Sequence, residues 1–201
     1  MDATDPIRRA IVCTGNSHKV EELALLLDDF VLEPLAAGTK LPPEIGATFL
    51  DNARIKAYAG QELHPGSWVI ADDSGLSVDA LDGAPGVHSA RFAGDDATDA
   101  TNTDLLLQRL DGYAETQLRT ARFICVLVAI APDGTEYLGE GTVEGHIALE
   151  RSGDAGFGYD PVFIPTGETQ SFAELGAEVK ARMSHRARAA RALSERILQP
   201  A

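Results

Sequence analysis

Basic side chains are scarce in this chain: 17 Lys and Arg stand against 31 Asp and Glu, a formal net charge of −14 over 201 residues. A surface this negative opposes duplex or polymeric nucleic acid, whose binding needs clustered cations. It does not oppose a small anion in a local pocket, where donors act at short range. The expected partner is therefore a small molecule, with no nucleic acid. Cysteine is nearly absent. Cys13 and Cys125 lie in apolar runs without CxxC spacing, which reads as two buried free thiols rather than a disulfide or a metal cluster. No stretch approaches the roughly 18 to 20 apolar residues that a membrane span needs. The first residues, MDATDPIRR, lack the cationic and apolar segments of a signal peptide. No membrane partner and a cytoplasmic location are expected. Neither a Walker A loop nor a GxGxxG fingerprint occurs, so the two commonest phosphate-binding signatures are excluded as well.

What remains is an ordinary globular composition, 44% hydrophobic, long enough for a sizeable core without disulfides or metals. One domain over 1–201, built as two tightly fused lobes, is expected. Ile7 to Cys13 reads as a buried strand. After the turn TGNS comes a helix with Val20, Leu23, Ala24 and Leu27 at i, i+3, i+4 and i+7, which Asn16 or Ser17 can cap. Val31 to Leu35 reads as a second strand. Thr48 opens a helix with Asp51 in a capping-box position. Leu50, Ala53 and Ala57 form its buried seam. Phe49, Asn52 and Lys56 share the adjacent stripe, as on a helix that lines something. A strand from Trp68 ends on Asp72 and Asp73, with a turn at Ser74 and Gly75 and a further short strand near Leu76. A helix follows near Asn102 to Leu110. Ala121 to Ala131 is the longest apolar run and reads as a central strand. The turn PDG joins it to a strand at Glu136 to Gly139, and Thr142 to Leu149 continues an antiparallel section. A short strand at Val162 to Ile164 and a helix from Ser184 complete the pattern. Interleaved strands and helices with hairpins in the middle give an α/β fold on a mixed sheet.

Four places could carry chemistry. TGNSHK, Thr14 to Lys19, joins a strand to a helix. Gly15, the helix N-terminus and Lys19 suit a phosphate chain, although a capped helix with a solvated lysine has the same sequence. ADDSGL, Ala71 to Leu76, sets two acids at a strand end, where open α/β sheets bind ligands. Successive strand residues face opposite ways, so one acid aims at a given site while the other supports it or faces water. An Asp-Ser-Gly turn explains the segment equally. GFGYDP, Gly156 to Pro161, offers Phe157 and Tyr159 as an aromatic platform for a flat base, or as core packing. KARMSHR, Lys180 to Arg186, puts His185 and Arg186 at a helix start, where such residues are commonly just solvated.

In this order the motifs TGNxxKxxE, DNAxxKA (here DNARIKA, Asp51 to Ala57), ADDSGL, GAPGxxSAR, GFGYDP and KxxxSHR resemble the inosine triphosphate pyrophosphatase family, from about Ile7 to Leu198. The resemblance implies two lobes around a long mixed sheet, a nucleotide cleft between the lobes, a homodimer, and Mg²⁺. It further implies hydrolysis of ITP, dITP and XTP to the monophosphate and pyrophosphate. Thr14, Gly15, Asn16, Ser17, His18 and Lys19 match the segment that holds the triphosphate, assisted by Lys56; His18 itself, like His88, stands at a variable position. Asp73 matches the general base, which also lies at the metal, with Asp72 in support. Ser74 matches a substrate contact. Phe157, Gly158, Tyr159 and Asp160 match the base-binding loop, completed by Lys180, His185 and Arg186. The family's metal-binding glutamate falls on Glu44, in a PPEIG context that departs from the commoner acidic doublet. Rival readings are a related pyrophosphatase for modified pyrimidine or methylated nucleotides, a non-catalytic nucleotide sensor, and a structural protein.

Overall fold

The computed structural model describes residues 7–199. Among the described residues the strands and α-helices are β1 Arg8–Val12, α1 Ser17–Ala24, β2 Phe30–Pro34, α2 Phe49–Leu63, β3 Trp68–Val78, α3 Asp99–Arg109, β4 Thr120–Ile130, β5 Glu136–Ile147, β6 Phe163–Pro165, α4 Phe172–Met183 and α5 His185–Leu198. The strands form one sheet in the order β2-β1-β3-β4-β5-β6. β1 runs parallel to both β2 and β3, and β5 antiparallel to β6. The fold is therefore α/β on a mixed, open, six-stranded sheet.

Helix starts follow local chemistry. Asn16 caps α1, its Oδ1 accepting the N–H groups of His18 and Lys19 at 3.0 and 3.4 Å. Thr48 and Asp51 form a reciprocal capping box on α2, as do Thr98 with Thr101 on α3 and Ser171 with Glu174 on α4. Each such cap stabilises its helix by about 1 kcal/mol. In α1, Leu23 and the following Leu27 are fully buried. Ala24, expected on the same seam, faces solvent, so the buried stripe is narrower than the periodicity suggests.

Two expectations fail in the same way. The turn at Ser74–Gly75 does not form: β3 continues unbroken from Trp68 to Val78. An Asp-Ser-Gly sequence makes a turn when its side chains bond their own backbone. Here the carboxylates of Asp72 and Asp73 bond Lys19, Lys56 and Asn52 instead, and the Leu76 N–H goes to Ser89 Oγ at 2.9 Å. Likewise the two strands expected in 136–149 are one strand, β5.

The chain divides into two compact units. One holds the chain up to Asp73, Val126–Glu140, and the segment from Ala189 onward; the other holds Ser74–Cys125 and Gly141–Arg188. In the first, Cys13, Ala53, Ala57, Val69, Ala71, Val126, Val128 and Ile130 pack together, with Phe49 and Leu50 against them. In the second, Leu76, Val78, Leu106, Phe123, Tyr159, Phe163 and Phe172 form the centre. Both cysteines are buried free thiols. Among the described residues no helix is long and apolar enough to cross a membrane.

Candidate functional site

The candidate residues fall into two groups, one in each unit. The first surrounds the end of β1 and the middle of β3. Lys19 is not a solvated helix lysine. Its Nζ lies 3.1 Å from Asp72 Oδ2, and that aspartate is completely buried. Asp73, the next residue, bonds a different set, as strand alternation requires. Lys56 Nζ donates to Asp73 Oδ1 at 3.2 Å, and Asn52 Nδ2 donates to Asp73 Oδ2 at 3.2 Å. Lys56 also donates to Glu44 Oε1 at 2.5 Å. The polar stripe of α2 thus lines the two carboxylates, and a lysine one helical turn beyond Asn52 gathers them.

Electrostatics here follow from burial. Desolvation pushes the Asp73 carboxyl above its ordinary range; Lys56 pulls it down, and the Glu44 charge pushes it up again. Burial alone would lower the Lys56 pKa. Asp72, Asp73 and Glu44 outweigh it and hold the ammonium above its ordinary pKa. Three carboxylates around two lysines leave an excess of negative charge, which suits a hard divalent cation. Glu44 and Asp73, the pair gathered on one ammonium, are the fitting donors. Among the described residues no group of three or more His, Cys, Asp or Glu could hold a metal unaided. Such an ion would need water and phosphate oxygens to complete its shell, which is normal for Mg²⁺.

The phosphate-loop candidate has a specific local shape. Asn16 N–H donates to Thr14 Oγ1 at 3.2 Å while its own side chain satisfies the N–H groups of His18 and Lys19. Two helix N–H groups that the sequence offers to phosphate are thereby already bonded. The His18 side chain is mostly exposed, within 3.9 Å of Glu21. A cleft of about 360 Å³ opens beside Thr14, Gly15 and Ser17, with a far wall made by Pro34 to Thr39 and Leu41. That wall escaped the sequence reading, because a Pro- and Gly-containing loop carries no periodicity.

The second group surrounds the GFGYDP loop. Asp160 is buried and accepts from the Phe157 N–H at 2.9 Å and from Lys180 Nζ at 2.5 Å. Gly156 is required beside it, with φ +79° and a position where a Cβ would strike the Asp160 carboxylate. Lys180 Nζ stands 4.5 Å from the Phe157 ring centroid and Arg186 Cζ 5.7 Å from it, both within cation–π reach. Arg186 is fully buried and donates to Ser74 Oγ at 2.9 Å. His185 stacks on Phe123, centroids 4.7 Å apart. Tyr159 does not share a platform with Phe157. It turns into the core, and its hydroxyl donates to the Ser89 carbonyl at 2.8 Å. Phe157 alone keeps a partly exposed aromatic face.

Sequence reasoning missed the residues that hold this loop. Asp99 Oδ2 accepts the Gly158 N–H at 2.7 Å, and Thr103 Oγ1 donates to the Gly158 carbonyl at 3.3 Å. Both lie on the first turns of α3, a helix visible in the sequence whose polar face has no motif to mark it.

The profile of the Ham1 family matches residues 10–196. A dITP/XTP pyrophosphatase of Methylococcus capsulatus is 48% identical over 195 residues, covering 94% of this chain and 96% of that one. A dITP/XTP pyrophosphatase of Escherichia coli O157:H7 is 44% identical over 192 residues, covering 93% and 96%. Among solved structures, a HAM1 protein from Coxiella burnetii superposes with a TM-score of 0.84 at 35% identity, over 96% of this chain and all of that one (100%). The Staphylococcus aureus Ham1 protein gives 0.82 at 34% identity, over 95% and 98%. With both groups of polar residues inside the matched span, this chain belongs to the Ham1 family.

Proposed function

We propose that this protein hydrolyses non-standard purine nucleoside triphosphates, ITP, dITP and XTP, to the monophosphate and pyrophosphate, and so removes them from the nucleotide pool. The observation that carries the reading is the set Glu44, Lys56 and Asp73, two carboxylates on one buried ammonium, in a chain whose relatives are named dITP/XTP pyrophosphatases. The first group of residues is assigned the triphosphate and a divalent cation; the second is assigned the purine.

In this reading Asp73 is the general base. It takes a proton from the attacking water as the water oxygen bonds to the α-phosphorus. The bond from that phosphorus to the bridging oxygen breaks, and pyrophosphate leaves with the electron pair. Mg²⁺, held by Glu44 and Asp73 with Asp72 in support, would offset charge on the phosphates when bound. Lys19 and Lys56 stabilise the charge that gathers on the leaving group, and Thr14 to Lys19 hold the chain of phosphates. Phe157 supplies a face for the purine. Lys180 and Arg186 are donors without acceptor capacity, so they favour a 6-keto oxygen over the 6-amino group of adenine. His185 and Ser74 complete the pocket. A cytoplasmic homodimer is part of the same reading.

The deciding experiment measures pyrophosphate release from ITP, XTP, dITP, GTP and ATP, with Mg²⁺ and with chelator. Metal-dependent release from the first three, with monophosphate as co-product, supports the reading. Orthophosphate release, or equal turnover of ATP, overturns it. Asp73→Asn should lower the rate by at least ~10²-fold.

A further inference from the structure

Asn52 is fully buried on α2, and its amide is engaged at both ends. Nδ2 donates to Asp73 Oδ2 at 3.2 Å, while Oδ1 accepts the Gly46 N–H at 2.7 Å. Gly46 stands two residues beyond Glu44 on the same loop. The approach is so close that a Cβ on Gly46 would lie 2.5 Å from Asp51 Cβ and 2.7 Å from Asn52 Oδ1. Only glycine lets the backbone reach the amide there.

We propose that Asn52 is a positioning residue for the reaction: it sets the rotation of the Asp73 carboxylate and ties the Glu44 loop to it, so that both carboxylates are held in register for a divalent cation. The inference rests on the pyrophosphatase reading. A carboxylate on a short side chain turns easily about χ2, whose profile is broad and two-fold. Two different partners remove that freedom, Asn52 on Oδ2 and Lys56 on Oδ1. A second lysine at position 52 would orient the carboxylate too, but would add a competing positive charge where the cation belongs. A neutral amide orients without neutralising. Its other end does separate work, because the loop that carries Glu44 has no strand or helix between Ala37 and Gly46 to hold it. One side chain therefore couples an irregular segment to a helix and a strand.

A buried amide can also serve stability alone, so the test needs readouts that stability does not move. Asn52→Leu keeps the volume and removes both bonds. Gly46→Ala leaves Asn52 intact and breaks the loop tether. Both variants should lower kcat for ITP by about 10- to 100-fold, with KM changed less than about threefold, because the phosphate and base contacts are untouched. Mn²⁺ binding to the nucleotide-free protein, read by water-proton relaxation, should weaken by about tenfold. In the wild-type protein, the Asn52 side-chain 15N–1H signals should move on Mg²⁺ addition and saturate with the metal. Folded variants with kcat and Mn²⁺ affinity within threefold of wild type would overturn the proposal. If neither variant folds, wild-type Asn52 signals that stay fixed while Mg²⁺ binds would overturn it equally. Wild-type protein that binds Mn²⁺ but releases no pyrophosphate from ITP would sink the pyrophosphatase reading instead, and the metal readouts would still judge the tether.

Discussion

Lys56 Nζ lies 2.5 Å from Glu44 Oε1 and 3.2 Å from Asp73 Oδ1, so a single buried ammonium joins two carboxylates from a loop and a strand. Removing one partner of a buried ion pair leaves the other charges uncompensated, at a cost of about 3–5 kcal/mol. Lys56→Met should therefore lower the melting temperature in chelator by roughly 6–20 °C, at about 2–4 °C per kcal/mol for a chain of this size. Mg²⁺ should restore more stability to the variant than it adds to wild type, since the ion takes over the role of the ammonium. Scanning fluorimetry with and without Mg²⁺ reads both effects; an unchanged chelator melting point would contradict this account of the ammonium.

The Asp73 carboxyl titrates above its ordinary range because burial disfavours its charge. Between the unfolded value near 3.8 and the higher folded value, the native state binds more protons than the unfolded one. Stability from this group is thus greatest at the acid end and falls as pH rises through the folded pKa. Asparagine imitates the protonated form at every pH. Asp73→Asn should consequently melt higher than wild type at pH 7.5 in chelator, with the difference shrinking toward pH 4, even as activity collapses. A variant that melts lower than wild type at pH 7.5 and equally at pH 4 would show that the sign is wrong.

Gly158 is held from both sides by α3. Asp99→Ala removes the stronger of the two bonds and frees the loop that presents Phe157. The expected result is a KM for ITP raised about five- to tenfold, near the ~1–1.5 kcal/mol typical of one hydrogen bond, with kcat largely kept. A fall in kcat at unchanged KM would place the effect elsewhere.

Cys13 packs so tightly against α2 that a Cβ on Gly60 would strike its Sγ. Burial pushes its thiol up to about 11, which leaves on the order of one molecule in a thousand as thiolate at pH 8. Ellman's reagent should find almost no thiol in the native protein at that pH, and both Cys13 and Cys125 after guanidinium unfolding. Rapid native reaction would show that the core opens readily.

Much of the fold was legible because its signals are local. The Thr48–Asp51 box, the apolar run of β4 and the cap at Asn16 each depend on a few adjacent residues. The turn misread at Ser74–Gly75 depended on partners far along the chain: nothing near Asp72 says that Lys19 will meet it. The same holds within the site. Asn52 and Lys56 were visible as an odd polar stripe, since helical spacing is local. Asp99, Thr103 and the wall from Pro34 were not, because each contributes through a tertiary contact with no repeat or motif of its own. Tyr159 stays open in the sequence for a related reason: two aromatics in one loop look alike until the fold sends one inward.

The unbroken course of β3 through Asp72 and Asp73 also divides the molecule by pliability. Amides in the middle of a central strand exchange with solvent only through the larger openings of a protein, so Asp73, the acid proposed as the base, is anchored to the slowest-moving part of the chain. Retuning the substrate range by mutation should then succeed in the loops at 34–41 and 152–161, which lie outside the Glu44–Gly46 segment tied to that acid. Changes at Asp73 should leave preference alone and remove most of the turnover.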